Sequence, residues 1–184
     1  SIIAIGAYKN DGSGPDSGHV RIYKNDNDSW QQIGQDIDGE YRDDYSGISV
    51  SLSSEGSVVA IGANGNEPGN RGHVRIYKNN DGNWNQIGPD IDGEAQWDNF
   101  GRSVSLSDNG SIVAVGGYSN DGSGTDSGHV RIYKNDNDSW QQIGPDIDGE
   151  ASGDRSGIAV SLSKDGSIVA IGAYKNDGYG TFYR

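Results

Sequence analysis

Short apolar runs alternate with polar turns along the whole chain. Val104 and Leu106 occupy alternate positions, as do Val130 and Ile132, which is the spacing of a strand with one buried face. The run SIVAVG at 111–116 is almost continuously apolar, as in a strand buried on both faces. No segment places apolar residues at helical spacing. The pattern therefore predicts short strands joined by tight turns.

Four such segments follow one another after Gly101, and SDNGS between the first two is typical of a β-hairpin turn. The predicted strands are Ser103–Ser107, Ser111–Gly116, His129–Tyr133 and Trp140–Ile143.

The same segments recur along the chain. GHV begins at positions 18, 72 and 128, and SIIAIGA at position 1 has close copies at 57, 111 and 167. SVSLS or AVSLS begins at 49, 103 and 159, so the repeat is about 55 residues long. Four antiparallel strands in a repeat of this length describe one blade of a β-propeller.

The fold class predicted is therefore all-β, with about three propeller blades in one domain, as an arc of a larger or oligomeric propeller. The predicted divisions are a partial blade at 1–45, blades at 46–100 and 101–156, and a partial blade at 157–184.

The composition of the chain argues against several classes of function. The net charge of −13 argues against binding to nucleic acid, which needs a basic surface. The 184 residues contain no cysteine, which excludes thiol chemistry, and no apolar run long enough to insert into a membrane. They also contain no methionine, so we expect a processed or excised piece of a longer protein.

One stretch resembles a known family. Phe100-Gly101, followed by SVSLS, SIVAVGG and GHVRIY, is similar to the FG-GAP repeat of integrin-α-type β-propellers. Ser46-Gly47 and Ser156-Gly157 stand where the other repeats would have the FG pair. The resemblance implies an interaction or adhesion module that is extracellular or on the cell surface.

The alternative is a carbohydrate-binding propeller with sites repeated between blades. The partner expected is thus a protein or a glycan. An enzyme is not expected, because GxSxG and HExxH motifs are absent. A hydrolase is the third candidate, since propellers can hold active sites in their central channel.

Aromatic residues recur once per repeat, as do the histidines. Trp30, Trp84 and Trp140 either pack between blades or form stacking platforms for sugar rings. His19, His73 and His129 lie one repeat apart, which favours a structural role over a shared catalytic or metal site.

The segments that differ between repeats are candidates for specificity. After DIDGE come YRDDYSG, AQWDNFG and ASGDRSG, which place distinctive residues on one rim. Exposed aromatic residues and arginine are common interface anchors. The ligand-binding candidates here are Tyr41, Arg42, Trp97 and Phe100.

DIDGE itself offers carboxylates at alternate positions, which resembles part of a calcium loop. The candidate metal ligands are Asp36, Asp38, Glu40, Asp90, Asp92, Glu94, Asp146, Asp148 and Glu150. The alternative is a turn capped by aspartate side chains. The glycine-rich loops at 10–18 and 120–128 are a second candidate for a cation.

Three repeats are too few for a closed propeller, which needs about four to eight blades. Unpaired strand edges at both ends therefore predict either a homo-oligomer or blades supplied by a longer chain.

Overall fold

The computed structural model describes residues 1–65 and 69–178. The regular elements of these residues are β-strands in four antiparallel sheets, so the predicted fold class is confirmed. Among them no helix is long and apolar enough to span a membrane.

We number the sheets as blades in chain order. Blade 1 contains β1 Ile2–Ala7, β2 His19–Asp26, β3 Ser29–Gln32 and β4 Ile37–Asp38. Blade 2 contains β5 Ser49–Leu52, β6 Val58–Ala63, β7 His73–Asn80, β8 Asn83–Gln86 and β9 Ile91–Asp92. Blade 3 contains β10 Phe100–Leu106, β11 Ile112–Gly117, β12 His129–Asp136, β13 Ser139–Gln142 and β14 Ile147–Asp148. Blade 4 contains β15 Ser156–Leu162 and β16 Val169–Ala173.

Strands follow chain order within each blade. In blade 2 the order is β5, β6, β7, β8, and the short β9 pairs with the free part of β7. This fifth strand is made of the second and third residues of DIDGE, where the sequence predicted a turn or a metal loop. It forms because β8 covers only Tyr77–Asn80 and leaves His73 and Val74 to pair with Asp92 and Ile91.

The first strand of blade 3 begins earlier than predicted, at Phe100 rather than Ser103. Phe100 pairs with Gly117, and the ladder then continues from Ser103 with Gly116, so a bulge lies between them. Gly101 has φ +83° in this bulge, a conformation that glycine adopts without strain.

The core lies between successive blades. One apolar cluster joins blades 1 and 2, and a second joins blades 2 and 3. Every residue of β6 is buried, which confirms the prediction of a second strand covered on both faces. Val59 and Ile61 face blade 1, whereas Val58 and Ala60 face blade 3. Each fully buried valine or isoleucine side chain contributes about 1.5–3 kcal/mol of transfer free energy.

A glycine near the end of each second strand, in the phrase IGA or VGG, permits close approach of the blades. A Cβ on Gly62 would collide with the carbonyl oxygen of Gly101 in the next blade. Gly6 stands in the same relation to Gly47, and Gly116 to Gly157. The three junctions therefore share one geometry.

Candidate functional site

The recurring tryptophans close the junctions between blades. Trp84 is 7% exposed and donates its Nε1–H to the carbonyl of Ile33 in blade 1, over 2.9 Å. Trp140 is 8% exposed and donates to Ile87 in blade 2, also over 2.9 Å. These contacts fit the packing interpretation for both residues, and neither ring is open to stack on a sugar.

Trp30 is the equivalent residue of blade 1, and it is 44% exposed. No described blade packs on this face of blade 1, so its ring is more exposed than those of Trp84 and Trp140. Its exposure follows from its position in the stack.

Phe100 is fully buried. Its ring packs edge-on against His129 at 5.9 Å and Tyr133 at 6.5 Å between ring centroids. This corrects its inclusion among the ligand-binding candidates, because the bulge that begins at Phe100 turns its side chain into the core.

Tyr41, Arg42 and Trp97 lie on the surface. They belong to the turns that connect one blade to the next, residues 41–45, 95–99 and 151–155, which we call the connecting turns. Tyr41 is 62% exposed and Trp97 is 61% exposed. The first two connecting turns occupy equivalent places in adjacent blades, so both aromatic side chains lie on the same rim.

A buried aspartate shapes each connecting turn. Asp44 Oδ2 accepts hydrogen bonds from the backbone N–H groups of Glu40 and Tyr41, at 2.9 and 2.7 Å. Asp98 and Asp154 bind the N–H groups of Ala95 and Ala151 in the same way. Burial raises the pKa of Asp44.

We did not single out these aspartates from the sequence. The available signal was their recurrence at one position in three turns whose other residues vary. They hold the turns in one shape while the exposed residues change.

The first aspartate of DIDGE binds its own blade. Asp36 accepts hydrogen bonds from Arg21 Nε at 2.9 Å and Gln32 Nε2 at 2.7 Å. The Arg21 hydrogen bond holds the pKa of Asp36 below its usual value. Asp146 accepts equivalent bonds from Arg131 and Gln142, whereas Asp90 accepts one from Gln86.

The glutamate of DIDGE binds the next blade. Glu40 Oε1 lies 3.2 Å from Arg75 Nη1, and Glu94 forms an ion pair with Arg131. The Arg75 side chain is 5% exposed, so this pair is shielded from water on one side. DIDGE therefore forms part of each blade and part of each junction.

The described residues place two carboxylates and a histidine close enough to share a metal in two places. The sets are His19, Asp36 and Asp38, and Glu94, His129 and Asp146. Calcium takes about six to eight oxygen ligands, and each set offers only two carboxylates. Arg21 already binds Asp36 in the first set, and Arg131 binds both Glu94 and Asp146 in the second. The geometry favours the structural alternative, and calcium binding stays a prediction.

The recurring histidines lie at the junctions. His129 is fully buried beneath the ring of Phe100, and burial lowers its pKa. Burial also lowers the pKa of His73 to about 4. These surroundings fit the structural role predicted for them.

Residues 90–133 match the family model of the FG-GAP repeat, so the predicted resemblance is confirmed over that segment. A comparison with curated protein sequences found no match. Two solved structures, both described as putative 6-phosphogluconolactonases, share the fold. The protein from Bacteroides fragilis NCTC 9343 is 15% identical with a TM-score of 0.54, and the match covers 90% of this chain and 40% of that one. The protein from Bacteroides uniformis ATCC 8492 is 12% identical with a TM-score of 0.59, and the match covers 93% of this chain and 47% of that one. This chain thus spans less than half the length of either.

These two structures overturn the expectation that the chain is not an enzyme, because proteins described as enzymes have the same fold. At 15% and 12% identity the likeness concerns the fold alone and assigns no reaction to this chain. Residues 90–133 therefore carry an FG-GAP repeat, within a chain built of stacked β-propeller blades.

Proposed function

We propose that the chain is an interaction module whose connecting turns bind a partner protein through Tyr41, Arg42 and Trp97. The observation that carries this proposal is the conformation of Trp97. Its φ is +72°, in the left-handed region that bulky residues rarely adopt.

The other blades show which residues this position accepts without strain. Asp43 and Gly153 stand there, with φ values of +61° and +86°. A side chain in this region costs about 1–2 kcal/mol, and aspartate and glycine tolerate it best. Trp97 therefore carries a cost that its surroundings do not repay, since its side chain is 61% exposed. Strain on an exposed aromatic residue is typical of binding sites.

The neighbouring turn adds an aromatic residue and a cation. Tyr41 and Arg42 are both exposed, and neither residue type recurs at these positions in the other connecting turns. Tryptophan, tyrosine and arginine are the residues most enriched among those that dominate binding energies. Together they form a surface that distinguishes blades of otherwise similar sequence.

The proposed partner is a protein with a basic surface, because the net charge of −13 attracts cations over long range. Burial of Trp84 and Trp140 removes most of the support for sugar sites repeated between blades. We retain the extracellular or cell-surface location as part of the proposal, on the resemblance to surface proteins alone. Binding through the rim is compatible with a reaction elsewhere on the fold.

The test is capture of partners by the immobilised chain from a surface-protein extract, followed by calorimetry with each purified partner. We expect the double variant Tyr41→Ala, Trp97→Gly to weaken binding at least about 100-fold, since each anchor contributes about 1–2 kcal/mol or more. Trp30→Phe is the matched control, because Trp30 is an exposed aromatic residue on a blade face rather than on the rim.

Partners that bind the double variant as well as the original chain would overturn the proposal. A glycan array probed with the original chain and the same variants tests for carbohydrate ligands. Sugar binding that depends on Trp97, without any dependent protein partner, would contradict the choice of a protein.

A further inference from the structure

Three asparagines stand in the acceptor motif of N-linked glycosylation, Asn-x-Ser with x other than proline. They are Asn27 in NDS, Asn109 in NGS and Asn137 in NDS. Each of the three is exposed, and each lies in a turn between two strands. A bulky group attached to such a residue stays in solvent and displaces nothing from the core.

All three turns lie at the same end of the blades. In blade 3 the turn at Asn137 follows β12, and the pairing of Ile112 with Lys134 brings the turn at Asn109 beside it. The connecting turns lie at the opposite end, because β14, which precedes one of them, pairs with His129 at the start of β12. Blade 1 has the same arrangement. Since β12 spans eight residues, the two ends are roughly 25 Å apart.

We call the end that carries the three motifs the hairpin rim, which comprises residues 27–28, 109–110 and 137–138.

The turn at Asn109 uses only the oxygen of the side-chain amide. Asn109 Oδ1 accepts hydrogen bonds from Ser107 Oγ, from the backbone N–H of Ser111 and from Ser111 Oγ, at 2.9, 3.0 and 2.8 Å. In blade 4, Asp165 Oδ1 accepts the same three bonds from the equivalent serines, although aspartate has no amide nitrogen. The turn therefore does not need Asn109 Nδ2. N-linked glycosylation attaches the sugar at Nδ2 and leaves Oδ1 to keep its three bonds.

The turns at Asn27 and Asn137 do not require asparagine either. Both residues have a positive φ, +49° and +52°, which asparagine and aspartate tolerate best among residues with a side chain. Asp81 takes this place in blade 2, with φ +53°. Asn27 Nδ2 and Asn137 Nδ2 each donate to the exposed carboxylate of the preceding aspartate, at 3.2 and 3.0 Å. A glycosylated amide keeps one N–H, so this hydrogen bond is compatible with the modification.

We propose that Asn27, Asn109 and Asn137 are acceptor sites for N-linked glycans, which cover the hairpin rim and leave the connecting turns open to a partner. In the reaction, Nδ2 of the asparagine loses a proton and forms a bond to the anomeric carbon of the sugar. The bond from that carbon to a polyprenyl diphosphate breaks, so the donor is a lipid-linked oligosaccharide and the diphosphate is the leaving group. The inference rests on the extracellular or cell-surface location within the proposed function, because chains meet such donors during export.

Expression of the chain behind a secretion signal in a eukaryotic host tests the acceptor sites. The secreted protein is digested, treated with peptide:N-glycosidase in heavy-oxygen water and analysed by mass spectrometry. Each glycosylated asparagine is then detected as a labelled aspartate. We expect label at Asn27, Asn109 and Asn137. Asn83 is the internal control, because it is exposed but has no serine or threonine two residues later, and it should stay unlabelled.

The other blades supply variants that keep the turns intact. Asn109→Asp copies the aspartate of blade 4, whereas Asn27→Asp and Asn137→Asp copy the aspartate of blade 2. Each variant should lose its own glycan and leave the circular dichroism spectrum unchanged. In blade 2, the double variant Asp81→Asn, Asn83→Ser creates the motif in an equivalent turn, and we expect it to add a glycan there.

A secreted chain that is folded, as judged by circular dichroism, but carries no label at the three asparagines would overturn the inference. Absence of label at one of them would overturn the inference for that site. The labelling does not depend on Tyr41 or Trp97, so a failure of the proposed binding function leaves this result intact. Conversely, the triple asparagine-to-aspartate variant should bind the partner as tightly as the glycosylated chain, and weaker binding would contradict the separation of the two rims.

Discussion

The three equivalent tryptophans permit a direct comparison of a closed junction with an open one. Trp84→Phe and Trp140→Phe keep an aromatic ring but remove the N–H that reaches the preceding blade over 2.9 Å. The same change at Trp30 removes an indole that is nearly half exposed and has no described hydrogen-bond acceptor.

The expected cost follows from burial. A buried hydrogen bond contributes about 0.5–1.5 kcal/mol, and a carbonyl left without its donor costs about 1–3 kcal/mol. We therefore expect Trp84→Phe and Trp140→Phe each to lower the free energy of unfolding by about 2 kcal/mol. Trp30→Phe should change it by less than about 0.5 kcal/mol, as surface substitutions do.

Urea denaturation followed by circular dichroism measures these differences as shifts in midpoint at a common m-value. Equal losses at Trp30 and Trp84 would refute the reasoning, because only a preceding blade distinguishes them. Trp97→Phe, another exposed tryptophan, provides the control.

Three further outcomes are expected. Trp97→Gly should raise the free energy of unfolding by up to about 1 kcal/mol, since relief of about 1–2 kcal/mol of strain outweighs the added entropy of glycine in the unfolded chain. Gly153→Trp should lower the free energy of unfolding. Urea midpoints that move in the opposite directions would contradict this prediction. The pKa of His73 is about 4 in the folded chain, against 6.5 in the unfolded chain. As the pH falls, the unfolded chain therefore takes up this proton first, and the free energy of unfolding should fall by about 2 kcal/mol from pH 7 to pH 5. The lowered pKa of His129 also makes the folded chain less stable as the pH falls, whereas the raised pKa of Asp44 has the opposite effect. Urea midpoints that do not change with pH would count against the burial of the histidines. Calcium and EDTA should leave the melting temperature unchanged, because arginines already bind Asp36, Glu40, Glu94 and Asp146. A calcium-dependent rise would instead reveal a site.

The strands could be predicted because local chemistry determines them. Glycine, asparagine and aspartate mark the turns, and apolar residues at alternate positions mark the buried faces. Repetition then showed which segments belong to one blade. The bulge that begins at Phe100 escaped prediction, since Ser46 and Ser156 stand at its position in other blades and give no sign of burial.

The role of DIDGE could not be decided from the sequence. Its glutamate binds an arginine in the next blade, as in the pairs Glu40–Arg75 and Glu94–Arg131. Carboxylates that recur in every repeat suit a calcium loop and a repeated ion pair equally well. Only the stacking of blades brings each arginine to its glutamate.

Trp97 shows a similar limit. The sequence marked it as distinctive, but its strain depends on the backbone that Asp98 holds through the N–H of Ala95, at 3.0 Å. Residue type alone cannot reveal that Trp97 has a positive φ. Gly153, at the equivalent position of blade 3, was consistent with a positive φ.

The most direct test of the stacked blades is hydrogen exchange of the four indole N–H groups, followed by NMR in dilute solution. Each signal can be assigned by a tryptophan-to-phenylalanine variant. The account predicts that Trp84 and Trp140 exchange slowly, because their N–H groups are released only when the blades separate. Trp30 and Trp97 should exchange rapidly, because both side chains are exposed. Four indoles that exchange at one rate in dilute solution would contradict the stacking of blades on which the account depends.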